Sequence, residues 1–133
     1  MISAVDTSVI IDVVTADPVH GPSSRELLRH SSNEGALIIC EVVYAEIAPQ
    51  FASRGQLEQV LDKLGIRLSN GGDIVAYLAG QKWGEYRRAG GTRTRLVADF
   101  LIGAHAAVHA QRLLTRDRGF YRQYFADLNL LQE

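Results

Sequence analysis

The chain has 133 residues, which fits a single domain that can bury a core without disulfides or a structural metal. Apolar residues make up 47% and charged residues 22%, which excludes a disordered or fibrous chain, and the single cysteine excludes an internal disulfide. The net charge of −1 is uneven, because residues 82–122 carry nine Lys/Arg against three Asp/Glu. Charges interrupt every apolar stretch before the ~18 residues of a membrane span. With no visible signal peptide, we expect a soluble cytoplasmic protein with one domain over residues 1–133.

Short apolar runs alternate along the chain with longer helical patterns. The runs are continuous, as is typical of strands buried on both faces. The predicted strands cover residues 2–5, 36–40, 66–68, 113–115 and 128–131. The predicted helices cover residues 7–14, 22–31, 41–51, 56–64, 73–89, 96–111 and 119–125. This alternation predicts an α/β fold, a three-layer α/β/α sandwich with a central, mainly parallel sheet whose strand order the sequence does not reveal.

Two of these helices have a clear apolar face. The helix at 73–89 should begin with Asp73 as its N-cap and end before Gly90. Its apolar face carries Val75, Ala79, Trp83 and Tyr86, and the last two are expected to serve core or dimer packing. The apolar stripe of the helix at 96–111 carries Val97, Phe100, Leu101, Ala104 and Val108. On the latter helix, His105 and His109 are spaced like metal ligands, but we expect them on its polar face.

Four acids are predicted at one edge of the sheet. Asp6 ends the first strand and Asp117 follows the fourth, while Asp99 and Glu46 lie on helices that border the same edge. An acid near the end of an element is usually a helix cap or a solvated residue. Several acids at one edge instead favour a site for Mg²⁺ or Mn²⁺, which prefer oxygen ligands. Such a cation can polarise a phosphoryl oxygen and activate water, which predicts hydrolysis of a phosphate ester.

Four short segments follow one another in a distinctive order. They are VDTSVIID at 5–12, VVYAEI at 42–47, ADFLIGAHA at 98–106 and LLTRD at 113–117. Together they resemble PIN-domain ribonucleases, and the size and layout of the chain are similar to those of VapC-type toxins of toxin–antitoxin pairs. The resemblance extends over nearly the whole chain.

The resemblance implies two groups of site residues. The metal-binding and catalytic acids would be Asp6, Glu46, Asp99 and Asp117. The hydroxyls that orient carboxylates or waters would be Ser8 and Thr115. Glu46 is preferred over Glu41 because it follows a small residue within an apolar stretch, as the acid of the family does. Asp12, inside the first helix, is expected to be solvated or structural.

The resemblance also implies an activity and partners. The activity is Mg²⁺-dependent cleavage of RNA of the tRNA or rRNA class, in which Mn²⁺ can substitute. The partners are a second copy of the chain, in a homodimer, and an inhibitory VapB-type antitoxin. Two alternatives stay open: a PIN-domain nuclease of RNA maturation or decay that has no antitoxin, and a non-catalytic α/β binding module.

Arginines cluster near the predicted acids. They are expected to contact the RNA backbone, because the planar guanidinium forms paired hydrogen bonds with phosphate. The candidates are Arg87, Arg88, Arg93, Arg95 and Arg116. For Arg87 and Arg88 the alternative is that they merely suit the end of a helix, where cations are favoured.

Overall fold

The structure is a computed structural model that describes residues 1–91 and 97–131. Within these residues, the strands form one sheet in the order β3-β2-β1-β4-β5. The strands are β1 (Ser3–Val5), β2 (Leu37–Ile39), β3 (Ile66–Leu68), β4 (Arg112–Leu114) and β5 (Asn129–Leu131). The helices are α1 (Thr7–Val14), α2 (Gly21–Glu34), α3 (Glu41–Ile47), α4 (Arg54–Leu64), α5 (Gly72–Arg88), α6 (Val97–His109) and α7 (Arg118–Tyr124). A 3₁₀ turn, Ala48–Gln50, extends α3.

All strand pairs are parallel, and the two strands at the centre are completely buried. Ala4 of β1 lies opposite Ile38 of β2 on one side and Leu113 of β4 on the other. Every residue of β1 and β4 is buried, so helices cover the sheet on both faces. This double burial explains the continuous apolar runs in the sequence. The predicted α/β/α sandwich with a parallel sheet is confirmed.

Local signals set both ends of α4, but they do not set the start of α5 as expected. The Ser53 side chain caps α4, and Gly65 ends that helix with a φ of 71°, a conformation that glycine adopts readily. The prediction that Asp73 caps α5 is wrong. Gly72, with a φ of 83°, turns the chain into the helix one residue earlier, so Asp73 lies inside the first turn and accepts the N–H of Ile74.

An aromatic cluster ties α5, α6 and α7 together. Neighbouring ring centroids in it lie 5.1 to 5.9 Å apart. Its members are Trp83, Tyr86, Phe100, Phe120 and Tyr124. Such edge-to-face contacts add to the free energy of burying the rings. Trp83 and Tyr86 therefore pack in the core, one of their two predicted roles.

The apolar stripe predicted for α6 is only partly correct. Val97 and Val108, at its two ends, are 47% and 39% exposed, whereas His105 is only 1% exposed. The expectation that His105 lies on a polar face is therefore wrong. The reason is that α6 contacts α3, α5, β1 and β4, so more than one face of it is buried. Burial, and secondarily the neighbouring His109, lowers the pKa of the His105 imidazole.

No helix in the described part of the chain is both long enough and apolar enough to cross a membrane.

Candidate functional site

The strand order places a crevice at the centre of the sheet. β2 and β3 follow β1 on one side of the sheet, and β4 and β5 lie on the other side of β1. In open α/β sheets, ligands bind outside the carboxyl ends of the strands at such a reversal point. A cavity of about 520 Å³ lies there, which we call the acid cavity. It is lined by Asp6, Thr7, Ser8, Ile11, Glu46, Asp99, Ile102, Arg116 and Asp117.

Four separate parts of the chain bring carboxylates to the acid cavity. Asp6 lies between β1 and α1, and Asp117 lies directly before α7. Glu46 is near the end of α3, and Asp99 is in the first turn of α6. The structure therefore brings together the four acids singled out from the sequence. Glu41 is not in the lining, and its carboxylate accepts the N–H of Gly71 at 2.9 Å.

Asp6 is the most enclosed of the four acids, with only 8% of its surface exposed. Its Oδ1 accepts the N–H of Thr7 at 2.8 Å, and its Oδ2 accepts the hydroxyl of Thr115 at 2.7 Å. Burial raises the pKa of Asp6; these hydrogen bonds partly oppose the shift, and the charges of Asp99 and Asp117 add to it. The carboxylates therefore repel one another across the cavity, and a bound cation would relieve that repulsion.

Hydrogen bonds from hydroxyl groups hold the carboxylates of the acid cavity in place. Thr115 donates to Asp6 and accepts the backbone N–H of Asp117 at 2.9 Å, which links two acids through one side chain. The hydroxyl of Thr7 donates to Glu46 at 2.6 Å. Ser8 lines the cavity, and its predicted role as an orienting hydroxyl stays a prediction.

Two contacts to the acids were not foreseen from the sequence. One is the hydroxyl of Thr7. The other is the buried hydroxyl of Tyr121, 3.5 Å from Oδ2 of Asp6. The signals that could have found them are weak: Thr7 directly follows Asp6, and Tyr121 lies four residues, about one helical turn, after Asp117.

Arg116, on the wall of the acid cavity, is held by a buried acid. Its Nε and Nη2 donate to the two carboxylate oxygens of Asp12 at 2.8 and 3.0 Å. Asp12 is 3% exposed and also accepts the Ser24 hydroxyl at 2.7 Å. Of the two roles left open for Asp12, the structure shows the structural one and not the solvated one.

Arg87 and Arg88 lie away from the acid cavity. Arg87 and Arg88 are exposed in the last turn of α5, and neither lines the acid cavity. The guanidinium of Arg87 stacks over Trp83, 5.5 Å from the ring centroid. Arg93 and Arg95 lie outside the described residues. A role for these four side chains in RNA binding stays a prediction.

The acid cavity suits a hydrated cation better than a closed metal cage. Within residues 1–91 and 97–131, no three His, Cys, Asp or Glu side chains are grouped to hold a metal ion. The charged ligands that the cavity offers are carboxylate oxygens, the donors that Mg²⁺ and Mn²⁺ prefer. Mg²⁺ usually keeps several waters and takes only one or two carboxylates, so it does not require a preformed cage. The residues present therefore fit such an ion.

Comparisons with known proteins agree with this architecture. No curated protein matches the chain. Among solved structures, the chain is similar to VapBC2 from Rickettsia felis bound to a promoter DNA fragment, with a TM-score of 0.74, 20% identity and 98% of each chain covered. It is also similar to VapBC-1 from nontypeable Haemophilus influenzae, with a TM-score of 0.70, 20% identity and coverage of 99% of this chain and 98% of that one.

A third similar structure is a toxin–antitoxin complex from Klebsiella pneumoniae, with a TM-score of 0.64, 17% identity and coverage of 98% of this chain and 96% of that one. At these identities the three structures establish a shared fold. The match to a family model is more specific: the model of the PIN domain covers residues 4–126, which include all four acids of the cavity. The chain therefore belongs to the PIN domain family.

Proposed function

We propose that the protein is a Mg²⁺-dependent endoribonuclease, in which Mn²⁺ can substitute, and that it acts as a VapC-type toxin on RNA of the tRNA or rRNA class. The observation that carries this proposal is the convergence of Asp6, Glu46, Asp99 and Asp117 on one cavity. Membership of the PIN domain family supports it, because PIN domains are generally nucleases that use divalent metal ions.

The acids of the cavity would hold the cation, directly or through its bound waters, and neighbouring groups of the chain would orient these acids. Thr115 and the N–H of Thr7 fix both oxygens of Asp6, while the Thr7 hydroxyl fixes Glu46. When bound, the cation supplies a polarised phosphoryl oxygen and a water of lowered pKa for hydrolysis of the phosphodiester. Because the orienting hydrogen bonds exist before RNA binds, little reorganisation is needed at the moment of reaction.

The proposed partners are a VapB-type antitoxin and a second copy of the chain. The support is the fold, which is shared over nearly the full length with the VapBC structures and the toxin–antitoxin complex described above. The antitoxin would keep the nuclease inactive until the antitoxin itself is lost.

Cleavage of total RNA by the purified protein tests the nuclease activity. Reactions contain Mg²⁺, Mn²⁺ or EDTA, and they compare the wild type with Asp99→Asn. Asp62→Asn is the matched control, because it removes an exposed acid of α4 that does not line the cavity. We expect discrete fragments that require metal, persist with Asp62→Asn and vanish with Asp99→Asn. Cleavage that is insensitive to Asp99→Asn would contradict the proposed site.

Growth on induced expression separates the toxin from the alternatives. The toxin proposal predicts that the wild type stops growth, that Asp99→Asn does not, and that co-expression of an antitoxin restores growth. An active nuclease without effect on growth would favour RNA maturation or decay. A folded protein that neither cleaves RNA nor binds Mn²⁺ would favour the binding module.

A further inference from the structure

The contact between Arg116 and Asp12 joins α1 to the segment between β4 and α7. It is a paired interaction in which two guanidinium nitrogens meet two carboxylate oxygens, at 2.8 and 3.0 Å. Such fork-to-fork pairs fix the plane of the guanidinium as well as its position. The hydroxyl of Ser24 on α2 donates to the same carboxylate at 2.7 Å and so fixes Asp12 in turn.

This arrangement places a buried charge next to the candidate site. Asp12 is 3% exposed, and a buried carboxylate is costly unless it is paired and hydrogen-bonded. Arg116, by contrast, keeps 34% of its side chain exposed. Its third nitrogen, Nη1, is not used by Asp12. The chain thus buries the acid and leaves part of its arginine at the surface of the cavity.

Arg116 also differs in charge from the rest of the acid cavity. Among the described residues that line the cavity, it is the one cation and stands against four carboxylates. A phosphate approaching these carboxylates meets a repulsive field, and Arg116 offers it N–H donors at a fixed place beside Asp117. The flanking hydrogen bond from Thr115 to Asp6 anchors the same loop, so the guanidinium and the acids keep a constant relative position.

We propose that Arg116 binds a phosphate of the RNA beside the acids, and that Asp12 and Ser24 are positioning residues that hold the guanidinium for this contact. This proposal rests on the proposed ribonuclease function. The proposal adds Asp12 and Ser24 to the functional residues, although neither lines the cavity. It also requires the planar fork of arginine, because a lysine cannot pair with Asp12 and phosphate in the same way.

Single-turnover cleavage of end-labelled bulk tRNA tests this proposal. The protein is in excess and Mn²⁺ is present, and the concentration that gives half the maximal rate is measured separately from the maximal rate. Asp12→Asn and Arg116→Lys should each raise that concentration about tenfold, the usual effect of losing one charge-assisted hydrogen bond. The half-saturating concentration of the double variant should be no higher than that of either single variant, because both substitutions remove the same positioned guanidinium.

A second arginine–carboxylate pair provides the matched control. Arg112, at the start of β4, is 8% exposed and donates to Glu34 at 2.9 Å, away from the acid cavity. Glu34→Gln should lower thermal stability and leave the half-saturating concentration unchanged. Asp12→Asn and Arg116→Lys should retain the thermal stabilisation by Mn²⁺, since they leave the four acids in place.

Three results would overturn the inference while the ribonuclease function stands. They are an unchanged half-saturating concentration in Asp12→Asn and Arg116→Lys, effects of the two substitutions that multiply in the double variant, and an equal effect of Glu34→Gln. If the wild type shows no metal-dependent cleavage of total RNA, the proposed function fails and this inference fails with it.

Discussion

Asp6 serves the fold and the candidate site with the same carboxylate. Its Oδ1 caps the first N–H of α1, and its Oδ2 is bound to Thr115 at the edge of the acid cavity. The two interpretations open to a sequence analysis, helix cap and metal ligand, are therefore compatible here. The cost is a buried charge that faces other acids, which the raised pKa of Asp6 reflects.

The pH dependence of stability should reveal this cost. Because burial raises the pKa of Asp6, the folded protein still binds a proton at a pH where the unfolded chain has released it. The stability of the metal-free protein therefore falls as the pH rises from the unfolded to the folded pKa. We therefore expect the change in the free energy of unfolding caused by Asp6→Asn, relative to the wild type, to be more stabilising at about pH 7 than at about pH 4. Urea unfolding in EDTA at both values measures this; an equal effect at both would contradict it.

Thr115 holds two acids through one hydroxyl, so its removal should be costly. Thr115→Val keeps the shape but removes the donor to Asp6 and the acceptor of the Asp117 N–H. We expect a loss of about 1–3 kcal/mol in the free energy of unfolding. The control is Thr15→Val, which removes an exposed hydroxyl that donates to the Ile11 carbonyl and should cost less than about 0.5 kcal/mol. Equal losses in the free energy of unfolding, measured with urea, would show that the hydrogen bonds of Thr115 add nothing to stability beyond those of an exposed threonine.

At the residue scale, the sequence predicts where a residue lies in the fold better than it predicts which residue it contacts. Asp6 and Asp117 were placed correctly because each follows a short apolar strand. The partner of Asp12 was not predictable, since Arg116 lies 104 residues away and only the fold brings the two together. His105 was misplaced because its neighbours on α6 suggested one buried face, whereas the helix is packed on several sides.

At the scale of elements, the fit between α6 and the segment after α7 is close enough to test. A Cβ on Gly103 of α6 would lie 2.4 Å from the ring of Phe125, which is itself 5% exposed and cannot easily move. We expect Gly103→Ala to cost about 1–3 kcal/mol, as overpacking does.

Gly80 on α5 is the matched comparison. A Cβ there meets nothing within 4 Å, so Gly80→Ala should stabilise the protein by about 0.5–1 kcal/mol through helix propensity alone. Thermal and urea unfolding of the two variants check the pair. A destabilised Gly80→Ala or a neutral Gly103→Ala would contradict this description, in which Gly103 packs closely against Phe125 and Gly80 faces open space.

The elements themselves were largely predictable because local signals agree with the tertiary structure. Continuous apolar runs mark β1 and β4, which are buried on both faces. The start of α5 was misjudged by one residue, since the positive φ of Gly72 outweighs the capping preference of Asp73. The bounds of several elements differ from the prediction by a residue or more, as for β4, which begins at Arg112 instead of Leu113.

At the scale of the whole molecule, strand order creates the site. β1 and β4 are neighbours although 109 residues separate Asp6 from Thr115. No local pattern encodes that pairing, because the two strands lie far apart in the chain. The sequence therefore predicted which residues reach the edge of the sheet, and the topology determined that they surround one cavity.

Binding of a divalent ion should accordingly stabilise the whole fold. An ion that binds only the folded chain adds about 2.7 kcal/mol at a concentration one hundred times its dissociation constant. We expect Mn²⁺ to raise the thermal midpoint of the EDTA-treated protein, and Asp99→Asn to reduce that rise. Asp62→Asn, whose exposed side chain lies outside the acid cavity, should respond like the wild type. If Mn²⁺ raised the midpoint equally in all three proteins, the ion would bind elsewhere, and the four carboxylates would need a different explanation.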